Sequence, residues 1–303
     1  MSQLESTLRT VLNGLFERYK ERVPDVSGIF DAMIKEQVIN SESEIENDHI
    51  AFRTIGVKFL GIASLEKIFL HYGYRKMDYY HFPEKKLDAF WYAPSDSKDP
   101  RIFISELQVN DLSPETQHLI RNYTDEVIAD PVDRLDLNDA SMVVAFLHSG
   151  LWRIPTWKDY ETLSASSEYA AWTIYNRYYL NHFTITVHNL KKEYSTIAAF
   201  NTFLEKNGFI LNDASGKIKQ SPDGGLLQSS TVAQLIKAEF ADGDQHIIPG
   251  SYVEFAERKV LPEFNSLDSS QIKRQHRREG FEAANADKIF ESTYSAQTKR
   301  IKE

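Results

Sequence analysis

The hydrophobic pattern of the chain changes period twice, and the order of elements it predicts occurs two times. Up to about residue 40 the apolar positions Leu4, Leu8, Leu12, Leu15 and Phe16 recur at helical spacing, with Pro24 and Gly28 as punctuation. From Asp48 the period falls to two. Ile50 and Phe52 alternate with His49, Ala51 and Arg53, which makes a strand with one face for a core and one face bearing polar groups. Leu65, Ile68, Phe69 and Tyr72 then predict a helix, with Ser64 as its N-cap and Gly73 at its end. Strands are expected around 77–82, 87–92 and 101–109.

The same order returns after Leu180. His182, Thr184, Thr186 and His188 alternate with Phe183, Ile185 and Val187, and a helix built on Ile197, Phe200, Phe203 and Leu204 ends at Asn207 and Gly208. Strands are then expected at 209–211, 225–232, 235–240 and 250–258. The two halves align with His49 opposite His182 and, on "FISELQV" over "SYVEFAE", Glu106 opposite Glu254. The expectation is one compact α+β domain over 1–303. Its parts are helices over 1–45, a βαβββ module over 46–110, a helical insertion over 111–180, a second βαβββ module over 181–260 and a helical tail over 261–303. Paired, the modules form a cupped, partly closed mixed sheet.

Composition narrows the chemistry. With 42% hydrophobic and 12% aromatic residues the chain has material for a core, and disorder is excluded. The absence of Cys excludes disulfides, iron–sulfur clusters and thiol nucleophiles, so any metal must be held by His and carboxylates. Against 44 acidic residues stand 35 basic ones, a net charge of -9 that argues against nucleic-acid binding. The one basic run, 273–278, reads as a solvated helical face or an internal anion contact. No stretch approaches the length of a membrane span. The interleaved Glu5, Glu17 and Glu21 make the first helix unlike a targeting peptide, and the expected setting is the cytosol.

The repeat nominates a metal site. Two His and one carboxylate hold a divalent metal while leaving positions open, and His49, His182 and Glu254 occupy repeat-related strand positions that a pairing of the two sheets brings together. Glu106 is a candidate fourth ligand or a partner for a nearby arginine. His188 lies about 20 Å along the strand from His182, too far to share the ion, and is expected to play a supporting or structural role. Arg53, four residues after His49, is a candidate contact for the far carboxylate of a chelated diacid or a salt-bridge partner of Glu106 or Glu254. Arg258 has the same spacing from Glu254. Gln228 and Ser229 are candidate hydrogen-bonding partners of the substrate, against the plainer reading of strand residues facing solvent.

The segments "DHIAFRTIG", "NHFTITVHNLK", "GLLQSSTVA", "GSYVEFAER" and "REGFEAANADKIFEST" resemble the 2-oxoadipate dioxygenase/decarboxylase (2-hydroxyglutarate synthase) family, over about 29–294. The resemblance implies the vicinal oxygen chelate architecture and an Fe(II) enzyme that converts 2-oxoadipate with O2 to 2-hydroxyglutarate and CO2. It places the metal ligands on His49, His182 and Glu254 and a substrate-binding arginine on Arg53. Its partners are then a small 2-oxo dicarboxylate and O2, with no nucleic acid or membrane; the sequence does not set the oligomeric state. The alternatives are a glyoxalase-like isomerase or lyase with Glu106 as fourth ligand, and a pocket that holds no metal and performs no reaction.

Overall fold

The computed structural model describes residues 2–301. Two helices open the chain, α1 (Gln3–Arg22) and α2 (Pro24–Lys35), and α1 is started by a capping box of Ser2 and Glu5. The first module follows as β1 (Asn47–Ile55), α3 (Ile62–His71), β2 (Arg75–Phe82), β3 (Leu87–Ala93) and β4 (Arg101–Leu107). Helices α4 (Pro114–Thr124), α5 (Ala140–Leu147), α6 (Trp157–Ser166) and α7 (Glu168–Asn176) fill the insertion. The second module is β5 (His182–Thr186), α8 (Ile197–Lys206), β6 (Lys219–Gln220), β7 (Leu226–Ser230), β8 (Leu235–Glu239), β9 (Gln245–Pro249) and β10 (Tyr252–Arg258). Helices α9 (Ala283–Phe290) and α10 (Ser295–Thr298) end it.

Eight strands form one mixed sheet in the order β2-β3-β4-β1-β5-β10-β7-β6. The order is symmetric about its centre: β1 and β5 run antiparallel, and each lies parallel to the last strand of its own module. This is the expected paired-module sheet, with two differences in the second half. The apolar run at 235–240 pairs with β9 in a separate two-stranded ribbon, because its partner strand follows within a tight turn. The third strand of that module is instead the two-residue β6, too short to show an apolar alternation. The segment 209–211 makes only an isolated bridge from Leu211 to Thr231.

Alternation along the central strands decides which face carries chemistry. Phe52 packs on Phe69 of α3, and Phe183 on Phe16 of α1, so the odd-even partners of the histidines bury themselves under the outer helices. The inner face presents His49, Arg53, His182 and Glu254 toward α7 and the C-terminal segment. That segment is stapled to the body by arginines of the basic run: Arg274 donates to the Ser97 and Asp99 carbonyls, Arg277 to Arg258 O and Arg278 to Phe281 O. Arg278 also pairs with the carboxylates of Asp223 and Glu282, so the run makes internal contacts and is not a solvated helical face.

Register corrects the alignment of the two halves. His49 pairs with Arg101 and His182 with Tyr252, so Glu106 and Glu257, each five residues further on, are the equivalent carboxylates. Both perform one task. Glu106 accepts from the Ile62 N–H at 2.8 Å and Glu257 from the Ile197 N–H at 2.8 Å, each at the N-terminus of its module's helix, where the helix dipole favours an anion. Gly61, at φ +81°, leaves the space that Glu106 occupies, since a Cβ there would collide with the carboxylate. Ser64 is not the cap; its hydroxyl donates to Asp130.

Candidate metal centre

The ligand atoms of His49, His182 and Glu254 lie within 4.8 Å of one another, and all three residues are buried. The two Nε2 atoms are 3.3 Å apart, His182 Nε2 is 3.1 Å from one Glu254 oxygen, and His49 Nε2 is 3.5 Å from the other. The other nitrogen of each ring is already committed. His49 Nδ1 donates to Asp48 Oδ1 at 2.8 Å and His182 Nδ1 to Asn181 Oδ1 at 3.1 Å. The two Nε2 atoms therefore converge with the carboxylate on one point, with the Thr184 hydroxyl 3.1 Å from His49 Nε2, an arrangement that favours a cation between them. A transition ion with bonds of about 2.1 Å holds adjacent ligand atoms about 3 Å apart, close to the spacings found. The donor set fits a divalent metal of the first transition row.

The electrostatics agree with that donor set. Burial alone lowers the pKa of His49, but the carboxylates of Glu254 and Asp48 outweigh it and leave the imidazole raised, the mark of a point that favours positive charge. His182 is driven well below its ordinary value, first by burial and then by the charges of His49 and Arg53, so its Nε2 is a neutral donor to metal. Glu254 is aimed by Gln228, whose Nε2 donates to Oε1 at 2.6 Å while its own oxygen accepts from Asn285 at 3.0 Å.

Asp48 is the residue that sequence reasoning passed over. Its carboxylate takes the Nε and a terminal nitrogen of Arg258 at 2.6 and 2.9 Å, and Arg101 at 3.1 Å, while it orients His49. Burial acts to raise its pKa, but the two guanidinium groups hold it well below the usual carboxylate range. The signal was present in the sequence, as an Asp or Asn directly before each histidine.

Arg53 lies in the inner face as expected, its guanidinium 5.0 Å from the rings of Tyr169 and Trp172. Its terminal nitrogens donate to Thr293 Oγ1 and Phe290 O, and its Nε has no partner. Two candidates are corrected. Arg258 is spent on Asp48 and on the carbonyls of Arg278 and Gly280. Ser229 points to the outer face, where its hydroxyl donates to Asn201 of α8, because it alternates with Gln228 along β7. His188 accepts from the Arg258 N–H through Nδ1 at 3.1 Å and is not among the three clustered ligand residues.

Phe103, Gln228, Tyr252, Phe281, Ala286, Ile289 and Phe290 close a cavity over the three ligands. As closed it measures about 20 Å³, the room of a single water. The Tyr252 ring lies 4.9 Å from that of His182, and burial pushes its phenol up while the nearby Arg53 opposes that rise. The phenol is therefore protonated at neutral pH.

The family model described as 2-oxoadipate dioxygenase/decarboxylase matches residues 11–267. The chain is 44% identical to the chloroplastic 2-oxoadipate dioxygenase/decarboxylase of Arabidopsis thaliana, over 98% of its own length and 80% of that protein. It is 42% identical to a chloroplastic/amyloplastic protein of the same name from Oryza sativa subsp. japonica, over 98% of the chain and 81% of that protein. A solved structure of hydroxyglutarate synthase from Oryza sativa in complex with 2-oxoadipate superposes with a TM-score of 0.90 at 41% identity, covering 99% of this chain and 96% of that one. A glyoxalase superfamily protein from Ralstonia eutropha shares the fold at a TM-score of 0.68 and 22% identity, over 89% of this chain and 83% of that one. The plastid relatives overturn the expectation of a cytosolic setting. The first helix that suggested it buries Leu8, Leu15 and Tyr19 in the fold, so its pattern reports packing and not compartment. Among the described residues no helix is long and apolar enough to cross a membrane.

Proposed function

Because the chain belongs to the 2-oxoadipate dioxygenase/decarboxylase family, we propose that it binds iron(II) through His49, His182 and Glu254 and converts 2-oxoadipate and O2 to 2-hydroxyglutarate and CO2. The observation that carries this reading is the convergence of two imidazole lone pairs and one carboxylate in a buried pocket. Iron held by these residues would supply the redox chemistry that the reaction with O2 requires.

The residues of the chain supply the rest. Asp48 and Asn181 fix the two imidazole tautomers, and Gln228 keeps one carboxylate oxygen of Glu254 occupied so that the group cannot swing freely. Phe103, Phe281, Ile289 and Phe290 keep water from the reacting end of the substrate. Arg53 anchors the distal carboxylate, which orients the 2-oxo end toward the ligands. A six-carbon diacid does not fit a 20 Å³ space, so its entry displaces part of the wall. The isomerase alternative needs Glu106 as a fourth ligand, and Glu106 is committed to the N-terminus of α3 on the opposite face of the sheet.

Oxygen uptake tests the reading. With Fe(II), 2-oxoadipate should be consumed with O2 in equal amounts, releasing equal CO2, and no turnover should occur anaerobically. His182→Ala should bring bound iron to background by elemental analysis. Anaerobic turnover, or protein that binds no iron, would overturn the proposal.

A further inference from the structure

Tyr252 lines the cavity and Arg53 lies behind it, beside the phenol, and each carries a buried donor without a partner. Among the described residues, the buried side-chain atoms without a hydrogen-bond partner include Arg53 Nε and the Tyr252 hydroxyl. Both residues are sealed from solvent, at 1% and 0% exposure, so water does not satisfy these groups from outside. A buried donor left unpaired costs about 1–3 kcal/mol, and native folds rarely leave two in one place without a use. Tyr252 sits two residues before Glu254 on the same strand face, about 7 Å along the strand, and its ring walls the cavity beside His182. Arg53 reaches the same end of the inner face from β1, across the central pair of strands.

An N–H and an O–H that both lack acceptors call for a group that only accepts, and a guanidinium beside them calls for one that is negative. We infer that the Tyr252 hydroxyl, beside Arg53, donates to the distal carboxylate of the substrate and so selects a dicarboxylic over a monocarboxylic 2-oxo acid. The inference rests on the function proposed above for the metal end of the site and adds what recognises the other end. The register of the sheet explains why this position is available. Tyr252 is the equivalent of Arg101, which in the first module is consumed by Asp48 and Glu279, whereas the second module has Asn181 in place of Asp48 and makes no such demand.

The test is Tyr252→Phe in the iron-loaded full chain, which removes one oxygen and keeps the ring against His182. Oxygen uptake is measured with 2-oxoadipate and with 2-oxohexanoate, the same chain without the distal carboxylate. KM for 2-oxoadipate should rise roughly 10- to 100-fold with kcat nearly unchanged, the range expected for one hydrogen bond to a charged group. KM for 2-oxohexanoate should stay within about twofold, so the preference for the diacid collapses, while iron content and melting temperature match wild type. An equal loss for both substrates, a fall in kcat alone, or no change would overturn the inference. Calorimetric titration of the metal-loaded protein with adipate and with hexanoate separates this from the function itself. If wild type turned over neither 2-oxo acid yet bound adipate, with the preference over hexanoate lost in Tyr252→Phe, the reaction would be wrong and the carboxylate site right. Wild type that bound adipate no better than hexanoate would overturn the site.

Discussion

Replacing Asp48 with Asn separates two tasks that the native residue performs together. The carboxylate is the counter-charge for Arg258, through contacts of 2.6 and 2.9 Å, and for Arg101 at 3.1 Å, and it is the acceptor that fixes the His49 ring at 2.8 Å. Asp48→Asn keeps an amide oxygen able to serve His49, as Asn181 serves His182 at 3.1 Å, but removes the charge. Arg258 is left buried with only the carbonyls of Arg278 and Gly280, while Arg101 retains Glu279. Stranding a buried charge costs about 3–5 kcal/mol, and in a chain of this size each kcal/mol moves the melting temperature by about 2–4 °C. The expected fall is on the order of 10 °C. Iron affinity should fall by less than about tenfold, the low end for loss of a ligand's supporting contact, because the tautomer is preserved. The pH dependence has a definite sign. Asp48 titrates lower folded than the roughly 3.9 of an unfolded Asp, so its contribution is whole at neutral pH and is withdrawn as pH falls below about 4. Thermal unfolding followed across that range, with metal titration on the same samples, reads both effects. A variant that melted within about 1 kcal/mol of wild type would refute the charge argument, and one that lost iron by orders of magnitude would refute the shared role with Asn181.

Three further outcomes follow from the geometry. Glu106→Ala and Glu257→Ala should each cost about 1 kcal/mol in unfolding experiments, the worth of a helix cap, and leave iron content unchanged; loss of iron in Glu106→Ala would restore it as a ligand. His188 accepts from the Arg258 N–H and burial lowers its pKa to about 3, so the folded state disfavours its charged form. Its contribution is complete above the unfolded value of about 6.5 and is lost as pH falls toward 3, and His188→Asn should make stability flatter between about pH 6 and pH 4 by one proton. Gln228→Ala should lower iron affinity about 10- to 100-fold in a metal-competition titration with little change in melting temperature, since it frees a Glu254 oxygen and leaves the sheet intact.

What the sequence made legible was whatever alternation and repetition encode. The strict period of two around His49 and His182 put both on the inner face, and the repeat made them equivalent. Register was not legible. Aligning Glu106 with Glu254 was an error of three residues, and an odd shift along a strand exchanges the two faces of the sheet. The structure gives Glu106 its true equivalent in Glu257, under a helix on the outer face. The same limit misplaced Ser229, one residue from Gln228 and on the other side of β7. Arg258 was placed on the correct face, but spacing carries no information about which partner claims a charge, and Asp48 lies 210 residues away in the chain.

The corrected alignment explains why the site has three protein ligands and not four. Equivalent positions in the two modules have diverged in a consistent direction. The twin of Glu254 is Phe103, which pairs with Ala51 as Glu254 pairs with Thr184. A carboxylate at Phe103 would give the symmetric pair of His and Glu from each module, with the ion enclosed by protein on two sides. Phe103 instead packs 5.0 Å from Phe281, and the first module offers no carboxylate at that position. The same divergence puts Arg53 opposite Thr186, and Tyr252 opposite the Arg101 that Asp48 holds in the first module. The repeat brings the two histidines together, and its loss of symmetry leaves them with one carboxylate and not two.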